Sequence, residues 1–241
     1  MGNVYDQLVT NSWFAARKND PFIKAWHTLF TEIWKGRTNC KGVVDHPLMN
    51  TFMSVDEMLA MVLAIGLPAP SVDNKWVAEY LAQFICWCRT ARLDPDSESE
   101  FKGADYWETK ILTIDGREEM LPSVKSIGSF DNQRLFDLLS MRVDVADKEN
   151  NPDYQAAHRM VWNILSEGSM EKVIRAKKMY PTDMLGGLWD KPENHTKDHE
   201  EGTFAGLLRY GTVHFRQKRD TIKVLPAAPV AQRLKKGVLE A

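Results

Sequence analysis

Two carboxylates in the pattern Asp-x-Asp can hold a divalent cation, and the sequence contains one such pattern at Asp94 and Asp96. Carboxylate oxygens are suitable ligands for Mn²⁺ and Mg²⁺, and a bound ion would neutralise charge on a departing phosphate group. The pair follows a predicted helix in an acidic segment that also contains Pro95, and it does not end an apolar strand. This setting favours a solvated loop over a metal site. Asp144 and Asp147 have a wider spacing and are interpreted in the same way.

Histidines near the C-terminal end are the second group that could bind a metal. His195 and His199 are four residues apart, a spacing that places two imidazoles on one face of a helix for zinc. Asn194 and Gly202 indicate a loop here, and the sequence does not determine a third ligand, although His214 is available. Metal-dependent hydrolysis through these histidines is therefore the least supported of the functions considered.

Glu79 and Gln83 are the polar pair with helical spacing. They are four residues apart in a predicted helix, so their side chains would share one flank. If that flank faces a cleft, both are candidates for catalytic groups. A flank that faces solvent is the alternative.

The three cysteines do not form a disulfide framework or a metal site. Their number is odd, and Cys86 and Cys88 would point about 200° apart on a helix. With Cys40, they are predicted to be reduced thiols, buried as cysteines usually are.

Apolar residues at intervals of three and four predict the helices that would position these groups. The first begins with Asp20 as N-cap and Pro21 at the first helical position, and ends at Gly36. A second begins at Ser54 with a capping box, and a third covers residues 74–93. Further helices are predicted at residues 130–141, 151–165, 179–189 and 204–208.

Strand patterns are fewer and shorter. Trp13 and Phe14 form a β-like run, residues 111–114 form a second, and Gly211 to Phe215 form a third. Residues 226–241 contain alanine and proline and include a basic run, which predicts a poorly ordered tail. We therefore expect a helix-rich α/β domain over residues 1–225, followed by this tail.

Composition excludes some classes of function. The chain has 241 residues, of which 44% are hydrophobic, a formal net charge of −2 and a pI near 6.3. This balance argues against a nucleic-acid binder or an anionic-membrane binder, which usually present a basic face. The sequence shows no signal peptide and no apolar run near the roughly 20 residues of a membrane span. We expect a cytoplasmic protein if Met1 is the natural start, and a secretory-pathway lumen protein if an N-terminal anchor is missing.

The run from Asn11 to Leu48 resembles the fungal branch of the capsular polysaccharide synthesis proteins, which are related to glycosyltransferase family 32. The matching residues are Asn11, Ser12, Trp13, Phe14, Ala15, Ala16, Arg17, Pro21, Phe22, Trp26, His27, Trp34, Lys35, Gly36, Arg37, Thr38, His46, Pro47 and Leu48. Further similar segments are Glu79 to Gln83, Gly128 to Leu139, Leu188 to Asn194 and Gly202 to Phe215. The resemblance extends over about residues 11–219.

The resemblance implies a GT-A fold, in which an N-terminal Rossmann-like half binds a nucleotide sugar. In that family an Asp-x-Asp motif upstream of the Asn11 segment holds Mn²⁺ or Mg²⁺ on the diphosphate. Only ten residues precede Asn11, whereas a βαβ unit needs about 30. We therefore expect the C-terminal portion of a GT-A-type glycosyltransferase, lacking most of its nucleotide-binding half.

The resemblance also implies roles for particular residues. Asn11 and Ser12 would meet the donor or acceptor sugar through amide and hydroxyl hydrogen bonds, and Trp13 beside them could stack on a sugar face. Turn and capping chemistry is the alternative for Asn11 and Ser12. His214 would help to hold the metal and diphosphate, as a late histidine does in related enzymes. Packing beside Phe215 is the alternative.

The function predicted from this resemblance is transfer of a hexose from a nucleotide sugar to a saccharide or small-molecule acceptor, with a retaining outcome. Polysaccharide or specialised-metabolite biosynthesis would be the setting. The alternative is a truncated, inactive relative that acts as a binding module or as half of a split enzyme. Without the parallel-sheet half, the apolar faces of the helices at Asp20 and Asn74 would be exposed, which would favour self-association or a partner subunit.

Overall fold

A computed structural model describes residues 13–49, 60, 63, 68–114, 121–168, 171–176, 178–216 and 224–241. Over these ranges the regular secondary structure is helical apart from one two-stranded sheet, which confirms the predicted helix-rich α/β character. The described residues divide into two compact units, with bounds at Met1–Ile65, Val72–Thr113 and Leu225–Ala241 for the first, and Gly66–Ser71 and Ile114–Val224 for the second. None of the helices described has the length and apolar character needed to cross a bilayer. Apart from residues 60 and 63, which are helical, the helix predicted from Ser54 falls outside the described ranges.

The first unit begins with α1, Pro21–Trp34, and its start follows the predicted capping chemistry. The Asp20 carboxylate accepts hydrogen bonds from the backbone N–H groups of Phe22 at 3.0 Å and Ile23 at 3.3 Å. These two donors would otherwise lack a partner in the helix. The buried face contains Phe22, Ala25, Trp26, Leu29 and Ile33, which is the predicted apolar stripe.

The third predicted helix is two helices, α2 (Asn74–Tyr80) and α3 (Ala82–Thr90). They meet at Leu81, whose φ of −87° and ψ of 8° depart from helical geometry. Hydrogen bonding continues across the bend, because the Leu81 N–H still donates to the Val77 carbonyl at 3.0 Å. The other elements of this unit are a short 3₁₀ helix at Val43–Asp45, α4 at Gly103–Lys110, and β1 at Leu112–Ile114, which pairs with β2 at Val224–Pro226.

Aromatic rings fill the core of the first unit. Trp87 packs edge-on against Phe22, with ring centroids 4.7 Å apart, and against Trp26 at 4.8 Å. The indole N–H of Trp26 donates to the Gln83 carbonyl at 3.0 Å, which ties α1 to α3. Trp26 is therefore a core residue and does not offer a face to a sugar.

The C-terminal residues, where the sequence indicated a poorly ordered tail, lie against the first unit. The Leu234 N–H donates to the Arg92 carbonyl at 2.7 Å, and the Asp94 N–H donates to the Leu234 carbonyl at 2.8 Å. The Trp107 indole N–H donates to the Ala228 carbonyl at 2.9 Å. Backbone pairing with residues distant in sequence holds this segment, and composition alone does not show such pairing.

The second unit is a helical bundle. Its helices are α5 (Pro122–Ile127), α6 (Asn132–Ser140), α7 (Pro152–Ser166), α8 (Leu185–Trp189) and α9 (Phe204–His214), with a short 3₁₀ helix at Pro192–Asn194. Asn151 caps α7 by accepting from the N–H groups of Asp153 and Tyr154, each at 3.0 Å. Only part of the predicted helix at residues 179–189 forms, as α8. Leucine, methionine and aromatic side chains of α6, α7, α8 and α9 make one apolar core.

The strand predicted at Gly211 to Phe215 is wrong, because these residues continue α9 as far as His214. Thr203 caps the start of this helix by accepting from the Gly206 N–H at 3.1 Å. Gly211 is buried against Leu165, where a Cβ would lie 2.7 Å from a leucine methyl carbon. Close packing of α9 on α7 therefore outweighs the strand preference of Val213 and its neighbours.

Candidate functional site

Of the three residues predicted to bind substrate, Trp13 begins the described part of the chain, whereas Asn11 and Ser12 lie outside it. Trp13 is exposed, with 56% of its surface accessible, so it is free to contact another molecule. Phe14 next to it packs edge-on against Trp26, with ring centroids 5.4 Å apart. Contact of Asn11, Ser12 and Trp13 with the donor or acceptor sugar therefore stays a prediction.

The structure separates Glu79 and Gln83, which were predicted to share a helix flank. The bend at Leu81 lies between them. Glu79 is buried, and its carboxylate accepts a hydrogen bond from the Gly42 N–H. Gln83 is exposed, and its backbone carbonyl accepts from Trp26. Glu79 thus stabilises the turn at Gly42, where φ is 75°, and a catalytic role for Glu79 or Gln83 stays a prediction.

The carboxylates of the Asp-x-Asp pattern are engaged by cations of the chain. Lys235 Nζ lies 2.8 Å from Asp94 and 3.4 Å from Asp96. The Lys235 ammonium, with Arg233 further away, holds the pKa of Asp94 below its ordinary value. The pattern serves to anchor the C-terminal segment. Asp144 likewise pairs with Arg142 through both carboxylate oxygens, each at 2.9 Å.

The histidines do not form a metal centre within the described ranges, where no group of three or more His, Cys, Asp or Glu side chains could hold an ion. His195 and His199 are both exposed, on either side of a turn. His214 is exposed at the end of α9, and its ring lies 4.2 Å from that of Tyr210. The described residues therefore do not by themselves fit a metal–diphosphate site.

A partly open cavity of about 160 Å³ lies in the second unit. Helices α5, α6, α7, α8 and α9 surround it. Its apolar lining comes from Leu139, Ile164, Val173, Leu185, Ala205 and Leu208. Its polar lining comes from Ser123, Glu171, Trp189, Asp198, Arg209 and Thr212.

Glu171 is the titratable group in this cavity with the largest perturbation. Its carboxylate accepts from the Ser123 N–H at 3.1 Å and from the Ser123 hydroxyl at 2.5 Å. Burial raises the pKa of Glu171 to about 7, although both hydrogen bonds from Ser123 act in the opposite direction. Near neutral pH this carboxyl group can therefore either accept or donate a proton.

Asp198 and Arg209 form the second polar group of the lining. Arg209 Nη2 donates to the Asp198 carboxylate at 2.8 Å, and His199 Nδ1 lies 2.6 Å from the other carboxylate oxygen. Burial opposes ionisation, but the hydrogen bonds from His199 and Arg209 hold the pKa of Asp198 below its ordinary value. The two carboxyl groups of the cavity thus differ in character, since Asp198 is ionised and Glu171 titrates near neutrality.

Sequence reasoning missed Glu171, and no pattern in the sequence marks it. It is a single carboxylate in an irregular segment, and its partner Ser123 is 48 residues away. Trp189 was noted only as part of a similar segment, yet its indole N–H is buried without a hydrogen-bond partner among the described residues.

Proteins similar to this chain are fungal glycosyltransferases. The chain is 39% identical over 241 residues to the probable glycosyltransferase FCK3 of Fusarium pseudograminearum, a match that covers 98% of this chain and 58% of that protein. It is 28% identical over 236 residues to the O-glycosyltransferase braB of Annulohypoxylon truncatum, covering 97% of this chain and 55% of that protein. It is 29% identical over 232 residues to the glycosyltransferase afumC of Aspergillus fumigatus, covering 95% and 57%.

The chain is thus similar to these fungal glycosyltransferases over 95–98% of its own length, and it spans little more than half the length of the curated relatives it matches. No protein-family model matches it. No solved structure matches it either.

Proposed function

We propose that this chain is part of a glycosyltransferase that moves a hexose from a nucleotide sugar to a saccharide or small-molecule acceptor. The observation that carries this proposal is the 39% identity to FCK3 over 98% of the chain. The proposal includes the finer assignment to the fungal capsular polysaccharide synthesis branch related to family 32, with a GT-A fold. Polysaccharide or specialised-metabolite biosynthesis is the setting it implies.

The donor diphosphate needs positive charge, and the described residues of the second unit's cavity do not supply it. Arg209 is the cation of its lining, and Asp198 already neutralises it at 2.8 Å. Diphosphate binding in such enzymes depends on a divalent ion or on cationic side chains. We propose that Mn²⁺ or Mg²⁺ binds the diphosphate outside this cavity, with His214 as a contributor and with Asn11, Ser12 and Trp13 near the sugar.

The alternative function is that of an inactive relative, which binds a ligand or forms half of a split enzyme. A transferase needs its donor and acceptor sites together, and Arg209, the cation of the described cavity lining, is already paired with Asp198 at 2.8 Å, which supports this alternative. A partner that supplies the donor half would restore activity. The two functions differ in whether this chain binds a nucleotide sugar by itself.

The experiment that separates them is calorimetric titration of the purified chain with UDP-glucose and GDP-mannose, with and without Mn²⁺. His214→Ala tests the proposed metal contact, and His195→Ala is its matched control, because both histidines are exposed. We expect Mn²⁺-dependent binding of one donor, weakened at least tenfold by His214→Ala and unchanged by His195→Ala. A folded chain that binds neither donor would support the inactive relative. Donor binding that His214→Ala leaves intact would remove His214 from the site.

A further inference from the structure

The cavity of the second unit has the size of one six-membered ring. Its volume is about 160 Å³, and apolar cavities of roughly 150 Å³ bind benzene. Six of its lining side chains are aliphatic, and they come from four helices and the segment before α8. A hexose would leave most of its hydroxyl groups facing these apolar walls, at a cost for each group without a partner. An apolar ring fits this lining better than a sugar does.

Glu171 is a polar group of the lining that can still form hydrogen bonds with a ligand. Each Glu171 carboxylate oxygen accepts one hydrogen bond from Ser123 and retains a second acceptor position. A ligand hydroxyl that donates to this carboxylate would therefore be favoured.

The charged residues of the lining argue against an anionic ligand. They are Glu171, Asp198 and Arg209, two carboxylates and one cation. Arg209 donates both to the Asp198 carboxylate at 2.8 Å and to the Asp198 backbone carbonyl at 3.3 Å. Among the described lining residues, a phosphate or carboxylate would therefore face Glu171 without a free cation, and burial of such a charge is unfavourable.

We propose that this cavity binds a hydroxyl-bearing apolar ring, with Glu171 accepting a hydrogen bond from the ligand hydroxyl and the aliphatic side chains enclosing the ring. Identification of this ring as part of the acceptor rests on the proposed transferase function. Binding of the ring itself rests on the cavity alone. The acceptor class is then a hydroxylated hydrophobic small molecule, such as a phenol or an alicyclic alcohol, and not a saccharide.

The test is calorimetric titration of the chain with phenol and with cyclohexanol, each compared with its methyl ether, anisole or methoxycyclohexane. The ethers keep the ring and remove the hydroxyl donor. Leu208→Phe fills the cavity, and Leu207→Phe is its control, because both leucines are half-buried on α9 and only Leu208 lines the cavity. Glu171→Leu removes both acceptor oxygens, and Glu167→Leu, at an exposed position nearby, is its control. Circular dichroism establishes that each variant is folded.

We expect both alcohols to bind about fivefold or more tightly than their ethers, the value of one hydrogen bond. Leu208→Phe should abolish binding of all four ligands, whereas Leu207→Phe should not change it. Glu171→Leu should remove the preference for the alcohols while ether binding persists, and Glu167→Leu should keep that preference. The proposal is overturned if the folded chain binds none of these rings, if Leu208→Phe leaves binding unchanged, or if Glu171→Leu retains the preference.

The outcome is independent of whether the chain is a transferase. If the chain binds the rings but no nucleotide sugar, the cavity assignment is supported. The proposal that this chain alone binds the sugar donor is then contradicted. If transfer to a phenol is measured with an active preparation, Leu208→Phe should raise the acceptor KM at least tenfold and leave the donor KM unchanged. An unchanged acceptor KM would refute the acceptor assignment while the transferase function stands.

Discussion

Both carboxylate oxygens of Glu171 accept hydrogen bonds from Ser123, one from its backbone N–H at 3.1 Å and one from its hydroxyl at 2.5 Å. Ser123 lies in the first turn of α5, where the N-cap residue Leu121 offers no side-chain hydrogen bond. A carboxylate 48 residues away thus satisfies a helix N-terminus that its own sequence leaves uncapped. Helix stability and cavity chemistry are coupled at this contact.

Stability of the second unit should fall as the pH rises from about 4.5 to 7. Burial raises the pKa of Glu171 from 4.5 to about 7 in the folded chain, so over this window the folded state holds a proton that the unfolded state has lost. Stability therefore decreases with pH, by at most about 1.4 kcal/mol per pH unit from this group. Urea unfolding at half-unit intervals from pH 4.5 to 8 measures the slope.

The contribution of Glu171 is isolated by comparing Glu171→Gln with Glu167→Gln. Glutamine does not titrate, so the difference in unfolding free energy between wild type and Glu171→Gln should change with pH only in this window. Glu167→Gln should keep the wild-type slope. Equal slopes for all three chains would mean that Glu171 titrates at its ordinary pKa in the folded state.

The elements that could be predicted from the sequence are those in which capping residues and apolar periodicity coincide. Asp20 with Pro21 and Asn151 with Pro152 mark the starts of α1 and α7 to the residue. Helix α4 was not predicted, because its N-cap Lys102 supplies no side-chain hydrogen bond and its sequence is acidic. Local chemistry defines the first two helices, whereas tertiary packing defines the third.

The candidate site was less predictable than the fold. Glu79 and Gln83 were chosen on the assumption of one continuous helix, and the bend at Leu81 separates them. The cavity is lined by residues between 123 and 212, and no motif or spacing in the sequence marks them as members of one site. A site of this kind is formed by packing between helices that are distant in sequence, so spacing along the chain does not reveal it.

Two adjacent glycines of α8 should respond oppositely to alanine. A Cβ on Gly186 would lie 2.7 Å from Arg175 Cγ and 3.0 Å from the Ile174 carbonyl oxygen, whereas the nearest atom to a Cβ on Gly187 is 3.7 Å away. The Gly186 N–H also donates to that carbonyl at 2.9 Å. Gly186→Ala should destabilise the second unit by about 1 to 3 kcal/mol. Gly187→Ala should be neutral or stabilise it by up to about 1 kcal/mol.

Urea denaturation of the two glycine variants, side by side, checks this prediction. Each variant serves as the control for the other, because both add one methyl group to the same helix. Equal effects would show that segment 173–175 does not approach Gly186 as closely as the structure places it.

Asp20 should contribute more to stability than Asp73, although both cap helices of the first unit. Asp73 Oδ1 accepts from the Lys75 and Trp76 N–H groups at 2.8 and 3.3 Å. Asp20 makes the equivalent bonds and, through Oδ2, also accepts from the Tyr106 hydroxyl at 2.7 Å. Asp73→Ala should cost about 1 kcal/mol and Asp20→Ala about 2 kcal/mol, since the latter also loses the bond to Tyr106.

A double-mutant cycle with Tyr106→Phe assigns the difference. Tyr106→Phe should cost about 1 kcal/mol in the wild-type chain and almost nothing in the Asp20→Ala background. Chemical denaturation of the four chains gives the coupling free energy. A coupling near zero would show that the side chain of Tyr106 stabilises α1 by packing and not through Asp20.

Of the three thiols, only Cys40 should react readily in the folded chain. Burial raises the pKa of Cys86 to about 12 and that of Cys88 to about 11, and Cys86 also packs 3.6 Å from the Met49 sulfur. At pH 8 a thiol of pKa 11 is ionised to about one part in a thousand, and the thiolate is the reactive form. Ellman's reagent at pH 8 should therefore modify one thiol rapidly in the native chain and three in urea. Cys40→Ser should remove the rapid phase, while Cys88→Ser should retain it. A rapid phase that survives Cys40→Ser would show that α3 opens readily, and with it the aromatic core around Trp87 that this helix shares with α1.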